Sequence, residues 1–158
     1  MSEIVVAYYS RTGKTRAVAQ KLAELLGADL EEITEKKDRS GVAGWLTAGG
    51  DTVLGKPAEL TSRHSLQGRK VVVIGMPVWA FAPPPAIRAY VAAVDLSGVK
   101  VAGFATMDGS GADRALDALA EIVPGGLVER LGLKKPRGDD PKLIAQLADW
   151  AQRIKAGK

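Results

Sequence analysis

Short apolar runs alternate with amphipathic segments along the whole chain of 158 residues. The apolar runs predict strands at residues 4–9, 29–33, 70–75, 100–106 and 127–131. Helical periodicity predicts helices at residues 15–26, about 41–54, 86–94, 112–123 and 141 to about 156. Five such strand and helix pairs predict an α/β fold with one parallel sheet that is covered by helices on both faces.

The apolar content of the strands predicts their order in the sheet. The first, third and fourth strands are the most continuously apolar, as expected of central strands. The second, Asp29-Leu30-Glu31-Glu32-Ile33, alternates between polar and apolar residues and suits an edge. We therefore expect the order 2-1-3-4-5, with a topological switch point at the end of the first strand, where open α/β sheets bind ligands. Residues 1–158 are expected to form a single domain.

The loop at that switch point is Ser10-Arg11-Thr12-Gly13-Lys14-Thr15. Its hydroxyl and backbone N–H donors stand where a helix begins, which predicts a phosphate cradle. A P-loop is disfavoured because Tyr8 occupies its first glycine position, and the single glycine excludes the dinucleotide fingerprint. A phosphate monoester is the better ligand. The alternative is a turn whose hydroxyls only cap the helix.

Two further loops are expected at the same sheet edge. Residues 76–85 are apolar, aromatic and rich in proline, which suits a rigid wall where Trp79 covers a flat ligand. Alternatively, Trp79 and Phe81 fold down as core. Residues 106–111 carry two glycines that allow the backbone to approach a ligand, or they form a plain turn before a helix.

Composition narrows the possible chemistry. The chain is 46% hydrophobic and 25% charged, and it contains no apolar run of membrane-spanning length and no signal-type N-terminus, so we expect a cytoplasmic protein. The absence of cysteine excludes disulfides, thiolate nucleophiles and iron–sulfur clusters. His64, the only histidine, cannot build a metal site, and its polar neighbours predict an ordinary position on the surface or in a turn. No metal site is expected.

Together, the three loops resemble the FMN site of flavodoxins and flavodoxin-like proteins. Ser10, Thr12, Gly13 and Thr15 match the phosphate signature of that family, and the order of elements is similar over essentially the whole chain. The resemblance implies the three-layer flavodoxin-like sandwich of the short-chain type, with FMN as cofactor. It implies no catalytic residue. The cofactor-binding residues that it implies are Ser10, Arg11, Thr12, Gly13, Lys14, Thr15, Pro77, Val78, Trp79, Ala80, Phe81, Thr106, Met107, Asp108, Gly109, Ser110 and Gly111.

The chain departs from typical flavodoxins in two respects. Residues 106–111 contain no aromatic residue, so one face of the flavin is expected to be open. The net charge is +4 and the pI is near 9.4, whereas flavodoxins are commonly acidic. Basic clusters at residues 36–39, 69–70 and 134–137 are either solvated loops or contacts for an acidic redox partner. Because no aromatic residues are interleaved with them, nucleic acid is not expected as a partner.

Three functions are compatible with this reading. The first is an FMN electron carrier that serves a redox partner protein or a small-molecule electron acceptor. The second is an FMN-dependent NAD(P)H or quinone oxidoreductase, which an open flavin face favours. A cofactor-free receiver domain is disfavoured, because Tyr8 and Tyr9 stand where carboxylates are needed. The role of residues 36–59 stays open, and Trp45 either approaches the flavin or packs in the core.

Overall fold

A parallel sheet of five strands forms the centre of the computed structural model, which describes residues 1–36 and 58–157. The strands are β1 (Ile4–Tyr8), β2 (Asp29–Glu32), β3 (Val71–Pro77), β4 (Lys100–Met107) and β5 (Glu129–Lys134). Their order is β2-β1-β3-β4-β5 and all neighbours pair in parallel, so the predicted fold class is confirmed. The switch point lies at β1, because the next two strands in the chain, β2 and β3, pair with its opposite sides.

Four helices are described, each within one residue of its predicted bounds: α1 (Lys14–Leu26), α2 (Pro85–Ala93), α3 (Ala112–Ile122) and α4 (Pro141–Ala156). Proline stands at the start of α2 and of α4, where its missing N–H costs no hydrogen bond. The predicted helix at residues 41–54, and Trp45 with it, lies outside the described residues. Within the described part of the chain, no helix has the length and apolarity to cross a membrane.

The two faces of the sheet carry separate cores because side chains alternate along each strand. Val5, Ala7 and Tyr9 point to the face that α2 and α3 cover, where Tyr90 and Leu119 are fully buried. The other face packs against α1 and α4. There Phe104 meets Trp150 edge to face, with ring centroids 6.3 Å apart. Sheet strands buried on both faces explain the continuous apolar runs of β1, β3 and β4.

The fifth strand lies further along the chain than predicted. It was expected at residues 127–131, but the pairing with β4 runs from Ala102↔Glu129 to Met107↔Lys134. Val128, which the apolar pattern placed inside the strand, is 49% exposed. The strand is set by its hydrogen bonds to β4, which carry it as far as the charged Lys134, so local hydrophobicity alone misplaced it. β5 has no insertion, in agreement with the short-chain type.

The side chain of His64 is buried, so the surface alternative of that prediction was wrong. Its side chain is only 4% exposed, Nδ1 bonds to the carboxylate of Glu31 on β2, and the ring meets Tyr90 of α2 edge on at 5.2 Å between centroids. Burial raises the pKa of the Tyr90 hydroxyl far above its usual range. A carboxylate partner lets an imidazole be buried in a segment that reads as polar.

Gly75 on β3 offers a sharp test of the core beneath α1 and α4. A Cβ at this position would lie 2.2 Å from the ring of Phe104, so the ring occupies the space that any side chain would need. We expect Gly75→Ala to lower the free energy of unfolding by about 1–3 kcal/mol through overpacking. The measurement is urea denaturation. Gly138→Ala is the matched control, because its added Cβ would make only an ordinary contact with Ala17, at 3.8 Å. Equal stability of the two variants would contradict the packing described here.

Candidate functional site

The loop between β1 and α1 leaves the start of a helix open to an anion. Gly13 has φ 97° and forms the N-cap of α1, and no side chain of the described residues caps the helix. The hydroxyl of Ser10 instead accepts a hydrogen bond from the backbone N–H of Gly13 at 3.0 Å, which closes the loop before the helix begins. The amides of the first turn, starting at Lys14, therefore lack side-chain acceptors at the positive end of the helix dipole.

Two side-chain contacts join this loop to the end of β4. The buried hydroxyls of Thr15 and Thr106 share a hydrogen bond at 2.8 Å. Further out, Lys14 Nζ donates to Asp108 Oδ1 at 2.6 Å, with both side chains more than half exposed. The inner contact fixes the spacing of the two loops, since a buried hydroxyl pair is costly to separate. The outer ion pair is exposed and contributes little stability.

The loop after β3 contains a strained turn. Trp79 and Ala82 exchange two backbone hydrogen bonds, at 3.3 and 2.9 Å, so Ala80 and Phe81 form a two-residue hairpin turn. Both have positive φ, 49° and 61°, as in the type I′ turn that normally carries Asn-Gly. Backbone conformations of this kind cost about 1–3 kcal/mol each for residues other than glycine and cluster at functional sites.

The two aromatic residues of this loop differ in burial. Trp79 is only 7% exposed and packs edge to face on Tyr9, with centroids 5.3 Å apart, so it belongs largely to the core. This packing agrees with the core alternative, because Tyr9 at the end of β1 supplies an aromatic partner that the sequence pattern did not reveal. Trp79 also lines the cleft, and its contact with a flat ligand stays a prediction. Phe81 is 47% exposed.

The three loops enclose a narrow cleft of about 90 Å³ at the carboxyl edge of the sheet. It brings together ten of the predicted residues: Arg11, Thr12, Lys14, Thr15, Pro77, Val78, Trp79, Thr106, Met107 and Asp108. The other seven, Ser10, Gly13, Ala80, Phe81, Gly109, Ser110 and Gly111, lie in the same loops but do not line the cleft. Thr106 and Met107 belong to β4 and not to the loop after it, since their pairing with β3 and β5 continues to the edge.

The cleft has a positive mouth. The hydrogen bond from Lys14 holds the pKa of the Asp108 carboxyl below its usual range, and the charges of Lys14, Lys135 and Arg11 act in the same direction. Lys135 reaches this position because its backbone N–H donates to the carbonyl of Met107 at 2.7 Å. Sequence reasoning grouped Lys135 only with a basic surface cluster. The shift of β5 toward Lys134 is what brings it to the cleft.

Metal ligation is not part of this arrangement as far as the described residues go. Among residues 1–36 and 58–157, no group of three His, Asp or Glu side chains could hold a metal ion. The polar groups at the cleft are hydroxyls, backbone amides and cations, with Asp108 as the carboxylate. Such a donor set suits an anion.

Solved structures of similar shape cover nearly all of the chain. A Bacteroides uniformis protein assigned as a flavoprotein superposes with a TM-score of 0.80 at 24% identity, covering 94% of this chain and 97% of that one. One from Bacteroides eggerthii, also assigned as a flavoprotein, gives 0.76 at 27% identity, covering 96% and 99%. A Lactobacillus acidophilus flavoprotein, solved in complex with FMN, gives 0.73 at 19% identity, covering 96% and 99%.

Sequence comparison points in the same direction. A search of curated proteins gave no significant match. The family model described as Flavodoxin matches residues 3–134, which include all five strands and the three loops of the cleft. The chain therefore belongs to the flavodoxin family.

Proposed function

We propose that this protein binds FMN at the cleft and acts as an electron carrier. The observation that carries the proposal is the uncapped start of α1, whose first-turn amides stand beside the hydroxyls of Thr12 and Thr15 and lack a side-chain acceptor among the described residues. Membership of the flavodoxin family supports FMN as the ligand, as does the similar flavoprotein that was solved with FMN.

The size of the cleft suits one end of that ligand. A volume of about 90 Å³ is well below the roughly 300–1,000 Å³ of pockets that bury most of a small molecule. We infer that the phosphate enters the cleft, while the ring lies at its open side against the loops after β3 and β4. Trp79 lines the cleft although most of its surface is buried, so the flavin ring would contact only the small exposed part of its indole. The described residues of the loop after β4 supply no aromatic to cover a second face.

The residues of this chain hold and tune the cofactor. When bound, FMN supplies reversible uptake and release of one or two electrons. The hydroxyl pair of Thr15 and Thr106 keeps the two loops at a fixed spacing, so the phosphate site is formed before the ligand arrives. Arg11 and Lys14 add positive charge beside the phosphate and stabilise negative charge that accumulates nearby.

An oxidoreductase that uses NAD(P)H or a quinone is the second candidate, favoured by the ring face that the described loops leave open. Steady-state turnover with NAD(P)H and a quinone separates the two functions. A carrier is expected to turn over slowly with both. We further propose that residues 1–158 act as one domain in the cytoplasm, with a redox protein or a small-molecule acceptor as partner.

An absorbance titration tests the central proposal. Adding FMN to protein freed of flavin should give tight, saturable binding, with the flavin bands near 370 and 450 nm shifted by the protein environment, as a ring packed against Trp79 requires. A spectrum identical to that of free FMN at all protein concentrations would defeat the proposal.

The phosphate contribution can be measured separately. Because the helix start and its hydroxyls recognise an anion, FMN should bind much more tightly than riboflavin. Thr12→Ala should weaken FMN binding by about 1–3 kcal/mol, the usual range for a hydrogen bond to a charged group, and should leave riboflavin binding unchanged. Thr61→Ala is the matched control, since Thr61 lies outside the cleft. Isothermal titration with both ligands gives the answer, and equal affinity for FMN and riboflavin would rule out this phosphate site.

The ion pair at the mouth should tune the reduction potential. Reduction adds negative charge at the ring, so Lys14→Gln, which leaves Asp108 without its partner, should make reduction harder by on the order of 1 kcal/mol. For a two-electron couple this is a fall of about 20 mV. The double variant Lys14→Gln/Asp108→Asn restores the local charge balance and should return the potential to near its original value.

Spectroelectrochemistry at low and high salt measures the reduction potential of each variant and of the unmodified protein. The fall caused by Lys14→Gln should shrink at high salt, because the pair is more than half exposed. Lys155→Gln, on the last turn of α4, is the matched control for loss of one positive charge elsewhere. A potential that is the same in all three variants would show that charge at the mouth does not act on the flavin.

A further inference from the structure

The strained turn after β3 fixes an aromatic ring at the surface. Phe81 is one of its two residues with positive φ, and the residue is 47% exposed. The ring is nevertheless not free to move. It lies over Gly111, where a Cβ would come within 2.3 Å of Phe81 Cδ1, and the guanidinium of Arg114 stands 5.0 Å from its centroid. Strain that holds an apolar ring in solvent is typical of a functional position.

Phe81 and Arg114 are residue types that are common at the centre of protein–protein interfaces. Aromatic residues and arginine are enriched at the energetic centres of protein interfaces, and a side chain fixed before binding loses little entropy there. Phe81 does not line the cleft, so its exposed surface lies outside the proposed phosphate site, on the loop next to it.

The surroundings of the ring are basic. Gly132 of β5 lies directly under Ala112 of α3, so Lys134, two residues further, is on the same face of the sheet as α3 and Arg114. Lys135 follows at the mouth of the cleft. Among the described residues, Arg114, Lys134 and Lys135 form no ion pair. The carboxylates near them are Asp113, in the first turn of α3, and Asp108, which pairs with Lys14, so positive charge is in excess.

We propose that Phe81, Arg114, Lys134 and Lys135 form a docking face for a small acidic redox protein, with Phe81 at its apolar centre. The proposal rests on the proposed function, because a carrier must bring its partner close to the cleft. Positive charge beside the cofactor favours an acidic partner by electrostatic steering. A single fixed ring suits a protein contact better than a nucleic acid, for which stacking on several aromatic residues is typical.

Two redox proteins of opposite charge provide the test. The probes are a plant-type ferredoxin, which is acidic, and cytochrome c, which is basic. Each is titrated into the ¹⁵N-labelled, FMN-loaded protein, and amide shifts and paramagnetic broadening are followed by NMR. We expect ferredoxin to affect the amides around Phe81, Arg114 and Lys134 selectively. Its Kd should rise about tenfold between 0.05 and 0.3 M NaCl, as expected for an exposed charged interface.

Substitutions separate the apolar centre from the charge. Phe81→Ala and Arg114→Gln should each raise the ferredoxin Kd at least about fivefold, as truncation of a central interface residue does. Val128→Ala is the matched apolar control, because Val128 is 49% exposed and stands before the amino end of β5, whereas the docking face lies at the carboxyl ends of the strands. Lys155→Gln is the matched charge control. Both controls should bind ferredoxin like the unmodified protein.

The outcomes distinguish this inference from the proposed function. Failure to load FMN defeats the proposed function, whereas the ferredoxin titration can also be read on the protein without FMN, since the docking face does not line the cleft. Stronger binding of cytochrome c than of ferredoxin, shifts located away from Phe81, or a Phe81→Ala variant that loses FMN affinity but keeps ferredoxin affinity would each overturn the docking face.

Discussion

Three adjacent parallel strands that end at one edge of the sheet hold the candidate site together. Tyr8 of β1 is in register with Gly75 of β3, and Pro77 of β3 with Thr106 of β4, so the loops that follow start side by side. The hydrogen bond between the hydroxyls of Thr15 and Thr106 then joins the start of α1 to the end of β4 across the end of β3. The shape of the cleft therefore depends on strand register more than on contacts within any single loop.

Most of the fold could be predicted from the sequence because the patterns that indicate strands and helices are local and repeat along the chain. Apolar runs of strand length and helical periodicity each fix one element, and the polar alternation of Asp29–Glu32 identified the edge strand. The fifth strand was misplaced since its position depends on pairing with β4, which is a long-range property. His64 was misassigned for the same kind of reason. Its partners Glu31 and Tyr90 are distant in sequence.

The candidate site was foreseen in part. The loop between β1 and α1 could be identified as a candidate anion site because its residue types and its position before a helix indicate that chemistry directly. The different burial of Trp79 and Phe81 could not be predicted, because both are aromatic residues in one apolar loop. Their positions depend on the turn at Ala80 and Phe81 and on the contact of Trp79 with the distant Tyr9. The approach of Lys135 to the cleft was likewise hidden, since it follows from the true end of β5.

The contact between Phe81 and Gly111 links two loops in a further way. The ring fills the space that a side chain at position 111 would need, and Gly111 itself has φ 102°, which already favours glycine. The two positions therefore cannot vary independently during evolution. Among homologues that keep this turn, an aromatic residue at the position of Phe81 should occur together with glycine at the position of Gly111. Where the ring has been lost, the space at position 111 is limited only by Val78, which a Cβ would approach to 3.3 Å, and the positive φ becomes the main reason to keep glycine.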